Sequence, residues 1–383
     1  MKDSSLKVYI NKELSGNLAY EDEQYVFNYL DNSTSVVSLT MPIRKSSWNS
    51  KKLHPIFEMN MPEGSLKEAI KNHFAKIQEM DDINFLKLIG PYMLGRVKFN
   101  FLSEESERLK LDDILKNTKT DLFEELMQKY AIRSGVSGVQ PKLLLTAQNK
   151  NTMKFEHYIV KSWEKTYPQL ALNEYFCMRA VVNAGLDTPD FYLSEDLSMF
   201  IMKRFDIKDD ESYLGFEDMC VLTARGTDEK YNGSYEEVVR VIKDVVSPQT
   251  RKKALKDFFT ALIMNHLLRN GDGHLKNYGV LYEDDYQDAR LAPIYDVITT
   301  TVYIKNDIPA LKLSGGKLWW KEKTYKTFAK QSCGLSQKEY EEIIATCIEA
   351  VKITKDEIDK YQSSDEEVEA FLENLKNCWE EVV

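Results

Sequence analysis

No hydrophobic run in this sequence is long enough to cross a bilayer. The longest nearly apolar stretch, residues 258–268, falls well short of the ~20 residues that a spanning helix needs. Met1-Lys2-Asp3-Ser4-Ser5 leads into no apolar signal region, so neither secretion nor a membrane anchor is expected. Cysteine is scarce. Cys177, Cys220, Cys333, Cys347 and Cys378 are odd in number, and no two stand at C-x-x-C spacing. That speaks against structural zinc and a disulfide framework, and it fits a reducing cytosol. Positive charge is in deficit: 51 Lys and Arg face 61 Asp and Glu, for a net charge of −10. Such a surface repels phosphate backbones and argues against autonomous nucleic-acid binding, while leaving room for a local basic cleft. Internal repeats and low-complexity tracts are also missing. The chain of 383 residues, 43% hydrophobic and 29% charged, is ordinary for a soluble protein of two or three domains. Its expected setting is the cytoplasm.

Up to about Phe101 the pattern is one of short strands and turns with one or two helices. Residues 6–10 read as a strand, 11–16 as a turn, and Leu66, Ile70, Phe74 and Ile77 recur at helical spacing after the loop Met61-Pro62-Glu63-Gly64. Residues 103–130 are charge-rich and amphipathic, which predicts a helical connector burying Leu111, Ile114, Leu115, Phe123, Leu126 and Met127. Strands are predicted at 141–146, 155–160, 191–193 and 199–203, with a helix over 170–184 that ends at Gly185. Beyond Phe205 helices dominate, broken near 270–315 by loops and short strands. The expected architecture is a mixed α/β front half and a largely helical back half with a cleft between them.

The strongest chemical signal is Asn270-Gly271-Asp272-Gly273-His274-Leu275-Lys276-Asn277, placed just after the apolar stretch 258–268. A loop ending a buried helix is held rigidly, which suits catalytic groups. Asp272 and Asn277 are five apart, the spacing between the base and the metal-binding Asn of the protein-kinase catalytic loop. Asp296 interrupts an apolar run nineteen residues later, so Asn277 and Asp296 together offer hard oxygens for Mg²⁺ on ATP phosphates. Taken singly, Asp272 would turn the chain after a helix and Asp296 would cap the next one. Taken together, with His274 and Lys276 between, they favour phosphoryl transfer. Upstream, Ser134-Gly135-Val136-Ser137-Gly138-Val139-Gln140-Pro141-Lys142 is a loop of small residues whose N–H groups can approach phosphates, although it fits neither standard glycine-rich motif. Lys161 ends a strand-like run, and Glu174 on the following helix could clamp it against a phosphate. Lys203, Arg204 and Phe205 close the α/β half, where a hinge backbone would meet adenine. Glu217-Asp218 reads as an N-terminal helix charge cluster. His54, His73, His157 and His266 form no metal-ligand pair, Trp319-Trp320 suits packing, and 365–381 reads as an acidic amphipathic helix.

These residues resemble, in order, those of the HipA-like Ser/Thr kinases, the toxins of bacterial HipBA modules. The blocks that carry the resemblance are Ser137-Gly138-Val139-Gln140-Pro141-Lys142, Lys161, Asn173-Glu174, Arg204-Phe205-Asp206, Glu217-Asp218, the loop 270–277 and Tyr295-Asp296, preceded by Met61-Pro62-Glu63-Gly64 and Ile89-Gly90 with Gly95. The resemblance implies a two-lobed kinase-like α/β fold. An N-terminal subdomain would occupy 1–102, a kinase N-lobe 103–205 and a helical C-lobe 206–383. It implies Asp272 as catalytic base, Asn277 and Asp296 as Mg²⁺ ligands, Lys161 as the phosphate-binding lysine, and adenine contact near Lys203–Phe205. It further implies an aminoacyl-tRNA synthetase as substrate and a small HipB-like helix-turn-helix antitoxin that carries the contact with DNA. The −10 charge would help attract so basic a partner. Family kinases phosphorylate a serine of the glycine-containing loop. Gly135 stands where that serine is often found, which makes Ser137 the first candidate and Ser134 the second. Two other functions compete: a small-molecule phosphotransferase, and a catalytically weak corepressor beside a DNA-binding antitoxin.

Overall fold

The computed structural model describes residues 5–63, 67, 81–90, 93–99, 109–116, 122–130, 142–163, 166–284 and 287–380. Leu66, Ile70, Phe74 and Ile77 of the predicted helix, and the loop holding Ser134, Ser137, Gly138, Val139 and Gln140, lie outside the described residues.

The front of the chain forms an antiparallel sheet ordered β4-β3-β2-β1-β5, from β1 (Ser5–Ile10), β2 (Glu13–Glu21), β3 (Gln24–Tyr29), β4 (Trp48–Ser50) and β5 (Val97–Lys98). Alternation explains β1: Leu6, Val8 and Ile10 enter the core while Ser5 and Lys7 face water. The turns Asn11-Lys12 and Asp22-Glu23 have positive φ at both residues, the backbone that two-residue hairpins require. The predicted turn at 11–16 is therefore shorter than expected, because Glu13 already pairs with Ile10.

The second sheet is ordered β6-β7-β8-β10-β9, with β6 (Leu109–Lys110), β7 (Lys142–Gln148), β8 (Phe155–Ser162), β9 (Phe191–Leu193) and β10 (Met199–Lys203). The strand β6 runs parallel to β7, an edge pairing hidden inside the predicted helical connector. Helices Leu111–Leu115 and Leu122–Tyr130 flank it, and Leu111, Ile114 and Leu126 pack on Leu143, Leu145, Val160 and Ile201. The opposite face of the sheet, with Leu144, Ile159, Phe200 and Met202, joins the core of helix Leu170–Asn183. Gly185, at φ +75°, ends that helix in the left-handed conformation that glycine adopts without penalty.

The back half is built around helix Arg251–Leu267, whose residues are buried almost continuously from Ala254 onward. Helices Tyr235–Val245, Glu322–Gln331, Gln337–Lys360 and Glu366–Cys378 surround it. Ser234 with Glu237, and Ser336 with Glu339, cap two of these helices reciprocally. A third sheet, β11 (Gly215–Asp218), β12 (Gly279–Tyr282) and β13 (Arg290–Leu291), carries the front sheet on its side. Leu214, Phe216, Val221, Leu281 and Ala292 share one core with Phe27, Phe57 and Phe99. Glu217, expected in a helix-start charge cluster, is instead fully buried in β11. It accepts hydrogen bonds from Ser38 Oγ at 2.7 Å, the Leu39 N–H at 2.7 Å and the Tyr282 hydroxyl. Asp218 does cap a helix, the single turn Met219–Leu222. Among the described residues no helix is long and apolar enough to cross a membrane.

Candidate functional site

A cavity of about 500 Å³ lies where the three regions meet. Its lining divides chemically. Leu94, Ile159, Met202, Phe205, Phe216 and Tyr295 supply apolar and aromatic surface, while Lys142, Lys161, Lys276, Asp272 and Asp296 supply charge. A flat aromatic base and a polyanion together would use both kinds of surface.

Lys161, near the end of β8, is buried. Its Nζ donates to Glu174 Oε1 at 2.5 Å and to Asp296 Oδ1 at 2.6 Å. Burial alone would lower this ammonium, but Asp296 and Glu174 outweigh it and hold it above its ordinary value. Asp296 sits at φ +61°, a left-handed backbone that costs energy at a non-glycine residue and that Asp tolerates better than most. Its second oxygen accepts from Asn277 Nδ2 at 2.9 Å. Burial would raise this carboxyl, yet Lys142 and Lys161 outweigh it and hold it far below the usual carboxylate range. Lys142 is itself buried at the cavity wall, and desolvation lowers its ammonium while Asp296 pulls the other way. A buried cation in this condition favours an anion beside it.

The loop 270–277 is held from several sides. Asn270 Nδ2 donates to Asn265 Oδ1 at 2.9 Å, and the Asp272 N–H donates to Asn270 Oδ1 at 3.0 Å. The Gly271 N–H donates to Thr300 Oγ1 at 2.8 Å, and a Cβ at Gly271 would lie 2.0 Å from an Asp307 carboxylate oxygen. Asn277 accepts from the His274 N–H at 3.0 Å, closing the 3-10 turn Leu275–Asn277. Burial raises the Asp272 carboxyl to about 6, and nearby Asp296 adds to the effect. Above that pH Asp272 is an ionised acceptor within a desolvated site, the condition of a general base. His274 is pushed down to about 3 by burial and is therefore neutral. Among the described residues its Nδ1 has no hydrogen-bond partner.

Lys276 turns toward the front region, where its Nζ donates to Met59 O at 3.1 Å and to Glu63 Oε1 at 3.2 Å. Of the three hinge candidates, Phe205 reaches the cavity and stacks on Tyr295 with ring centroids 5.4 Å apart. The Lys203 side chain pairs with Glu156 at 2.8 Å, and its N–H donates to Asp190 O. Arg204 pairs with Asp206 at 2.6 Å, and its N–H donates to His157 O. Asp206 also accepts from the Gly95 N–H, so this buried pair fastens the hinge to the front region. His54 caps a helix, while His157 and His266 bond Thr146 and Tyr325. Tyr231, which donates to Asp272 Oδ1 at 2.7 Å, and Glu63 escaped sequence reasoning as site residues. Only the Met61-Pro62-Glu63-Gly64 motif hinted at the latter.

Among the described residues no three or more His, Cys, Asp or Glu side chains cluster as a metal site. The Asp296 carboxylate nevertheless suits Mg²⁺, which takes few protein ligands and completes its shell with phosphates and water. Asn277, whose Nδ2 faces Asp296 while its Oδ1 accepts the His274 N–H, would join it only with its amide turned over.

A HipA N-terminal domain profile matches residues 6–100, and a HipA-like C-terminal domain profile matches residues 134–354. "Putative kinase Y4dM" of Sinorhizobium fredii is 27% identical over 287 residues, 69% of this chain and 66% of that protein. A "Putative kinase" of Haemophilus influenzae is 28% identical over 185 residues, 44% of this chain and 53% of its own length. The chain thus spans 66% and 53% of the lengths of these two relatives. HipA of the Shewanella oneidensis toxin–antitoxin system, solved with HipB and operator DNA, is 18% identical. It superposes with a TM-score of 0.71 over 97% of this chain and 95% of that one. The fold is a mixed α/β, kinase-like one, with an N-terminal sheet region and a helical C-terminal region.

Proposed function

The chain belongs to the HipA family, and from that premise we propose that it is an ATP- and Mg²⁺-dependent protein serine/threonine kinase, the toxin of a toxin–antitoxin module. The observation that carries the reading is the convergence of Lys161, Asp272, Asn277 and Asp296, with Asn277 and Lys161 both bonded to Asp296. Asp272 would orient the serine hydroxyl and take its proton as the bond to the γ-phosphorus forms and the bond to the bridging oxygen breaks. Lys161 and Lys142 would hold the phosphates by charge, while Phe205 and Tyr295 would flank the base. Asn277 and Asp296 would hold Mg²⁺, which when bound neutralises charge on the phosphates. In such a reaction the protein contributes positioning and electrostatics rather than covalent chemistry.

A HipB-like antitoxin as partner, with DNA contacted through it, is supported by the Shewanella complex and by the −10 charge. An aminoacyl-tRNA synthetase as substrate, and Ser137 or Ser134 as the self-phosphorylated residue, rest on the family alone. The full chain incubated with γ-labelled ATP should phosphorylate itself, and mass spectrometry should place the label on Ser137 or Ser134. Asp272→Asn and Asp296→Asn should each abolish labelling and growth arrest together. Full incorporation in either variant would overturn the assignment.

A further inference from the structure

Tyr231 follows the single turn Thr227–Glu229, and among the described residues it is the one side chain hydrogen-bonded to the Asp272 carboxylate. Burial and the neighbouring Asp272 raise its phenol well above the ordinary value, so it remains a donor. The ring meets His274 edge-on at 5.2 Å, and Lys317 Nζ donates to the Tyr231 carbonyl at 3.1 Å.

The front region grips the same loop. Glu58 Oε1 accepts the Thr227 N–H at 3.2 Å, and Glu63 Oε2 accepts Lys230 Nζ at 2.9 Å. Lys230 O in turn accepts the Leu275 N–H of the catalytic loop at 3.1 Å. A carboxylate without donors swings about its last torsion, whereas one charge-assisted hydrogen bond narrows that swing and favours the ionised form. We propose that Tyr231 is the positioning residue for Asp272, holding one carboxylate oxygen and leaving the other for the acceptor hydroxyl. The Met61-Pro62-Glu63 turn, by way of Lys230, keeps Tyr231 in place.

This gives the front-region Glu63 a positioning role toward Asp272. It rests on Asp272 being the base. The groups facing Asp272 are Tyr231 and Lys230 from the preceding loop, Lys142 from β7, Asp296 from the following segment and His274 from its own loop.

In Tyr231→Phe, turnover in self-phosphorylation should fall about tenfold with the KM for Mg-ATP unchanged, the expected scale for losing one hydrogen bond to a charged group. A readout free of activity is ¹³C NMR of the aspartate carboxyls, with the Asp272 signal identified by its loss in Asp272→Asn. Its midpoint should lie near 6 in the wild type and higher in Tyr231→Phe. Glu63→Gln should move both readouts the same way by a smaller amount. An unmoved midpoint, a changed KM with intact turnover, or a rise in turnover would overturn the proposal. If the wild type transfers no phosphate while the midpoint moves as expected, the positioning contact stands and the kinase reading falls.

Discussion

Two charge clusters face the cavity with different stoichiometry. In one, Lys161 sits between the carboxylates of Glu174 and Asp296; in the other, the carboxylate of Glu63 sits between Lys230 and Lys276. Lys142 also faces Asp296, so the first sets two carboxylates against two lysines, whereas the second has one more lysine than carboxylate. Their construction differs as well. The first is buried deeply and links a strand to the helix that follows it, so its geometry is set by the core. The second spans the junction between the front region and the helical half, and it holds only while that junction holds. Asp272 lies between the two and feels both, through Asp296 on one side and Lys230 on the other.

The comparison breaks most sharply at Lys161. Lys161→Met leaves two carboxylates facing each other with no cation between them, and turnover should fall by roughly 10²–10³-fold, measured with γ-labelled ATP. Glu174→Ala tests whether the first cluster also supports the fold. It should cost about 3 kcal/mol, the low end for breaking a buried pair because Asp296 remains, read as a lower urea midpoint. An unchanged midpoint would make that cluster purely functional. The subtlest test is pH. A carboxyl raised to about 6 is protonated below that value and cannot accept a proton, so turnover should rise tenfold per pH unit up to about 6 and level off above it. A limb near pH 4 would mean that burial does not hold the Asp272 carboxyl up.

The Lys161–Glu174 half of the first cluster was legible in the sequence; the bond from Lys161 to Asp296, 135 residues away, was not, and neither was the second cluster. Lys161 and Glu174 are 13 residues apart on consecutive elements, and Asp272, Asn277 and Asp296 follow fixed loop spacings. Short-range order of this kind survives in a linear pattern. The bond from Glu63 to Lys276 spans 213 residues, and that from Ser38 to Glu217 spans 179. Both depend on how one sheet docks against another, which no local periodicity encodes. The same holds in the fold. The strand pair at 191–193 and 199–203 and the helix ending at Gly185 follow from alternation and capping. The strand β6 is two residues of backbone pairing at a sheet edge, invisible to side-chain patterning. Phe205 was separable from Lys203 and Arg204 only after their partners, Glu156 and Asp206, were in view.

The left-handed backbone of Asp296 has a consequence for substitution. Asn and Gly occupy that conformation at low cost, whereas a β-branched residue is driven out of it by its own side chain. Asn at position 296 would therefore keep the turn while removing the charge that faces Lys161, whereas Val or Ile would disturb the turn itself. The backbone and the carboxylate at this position are separable.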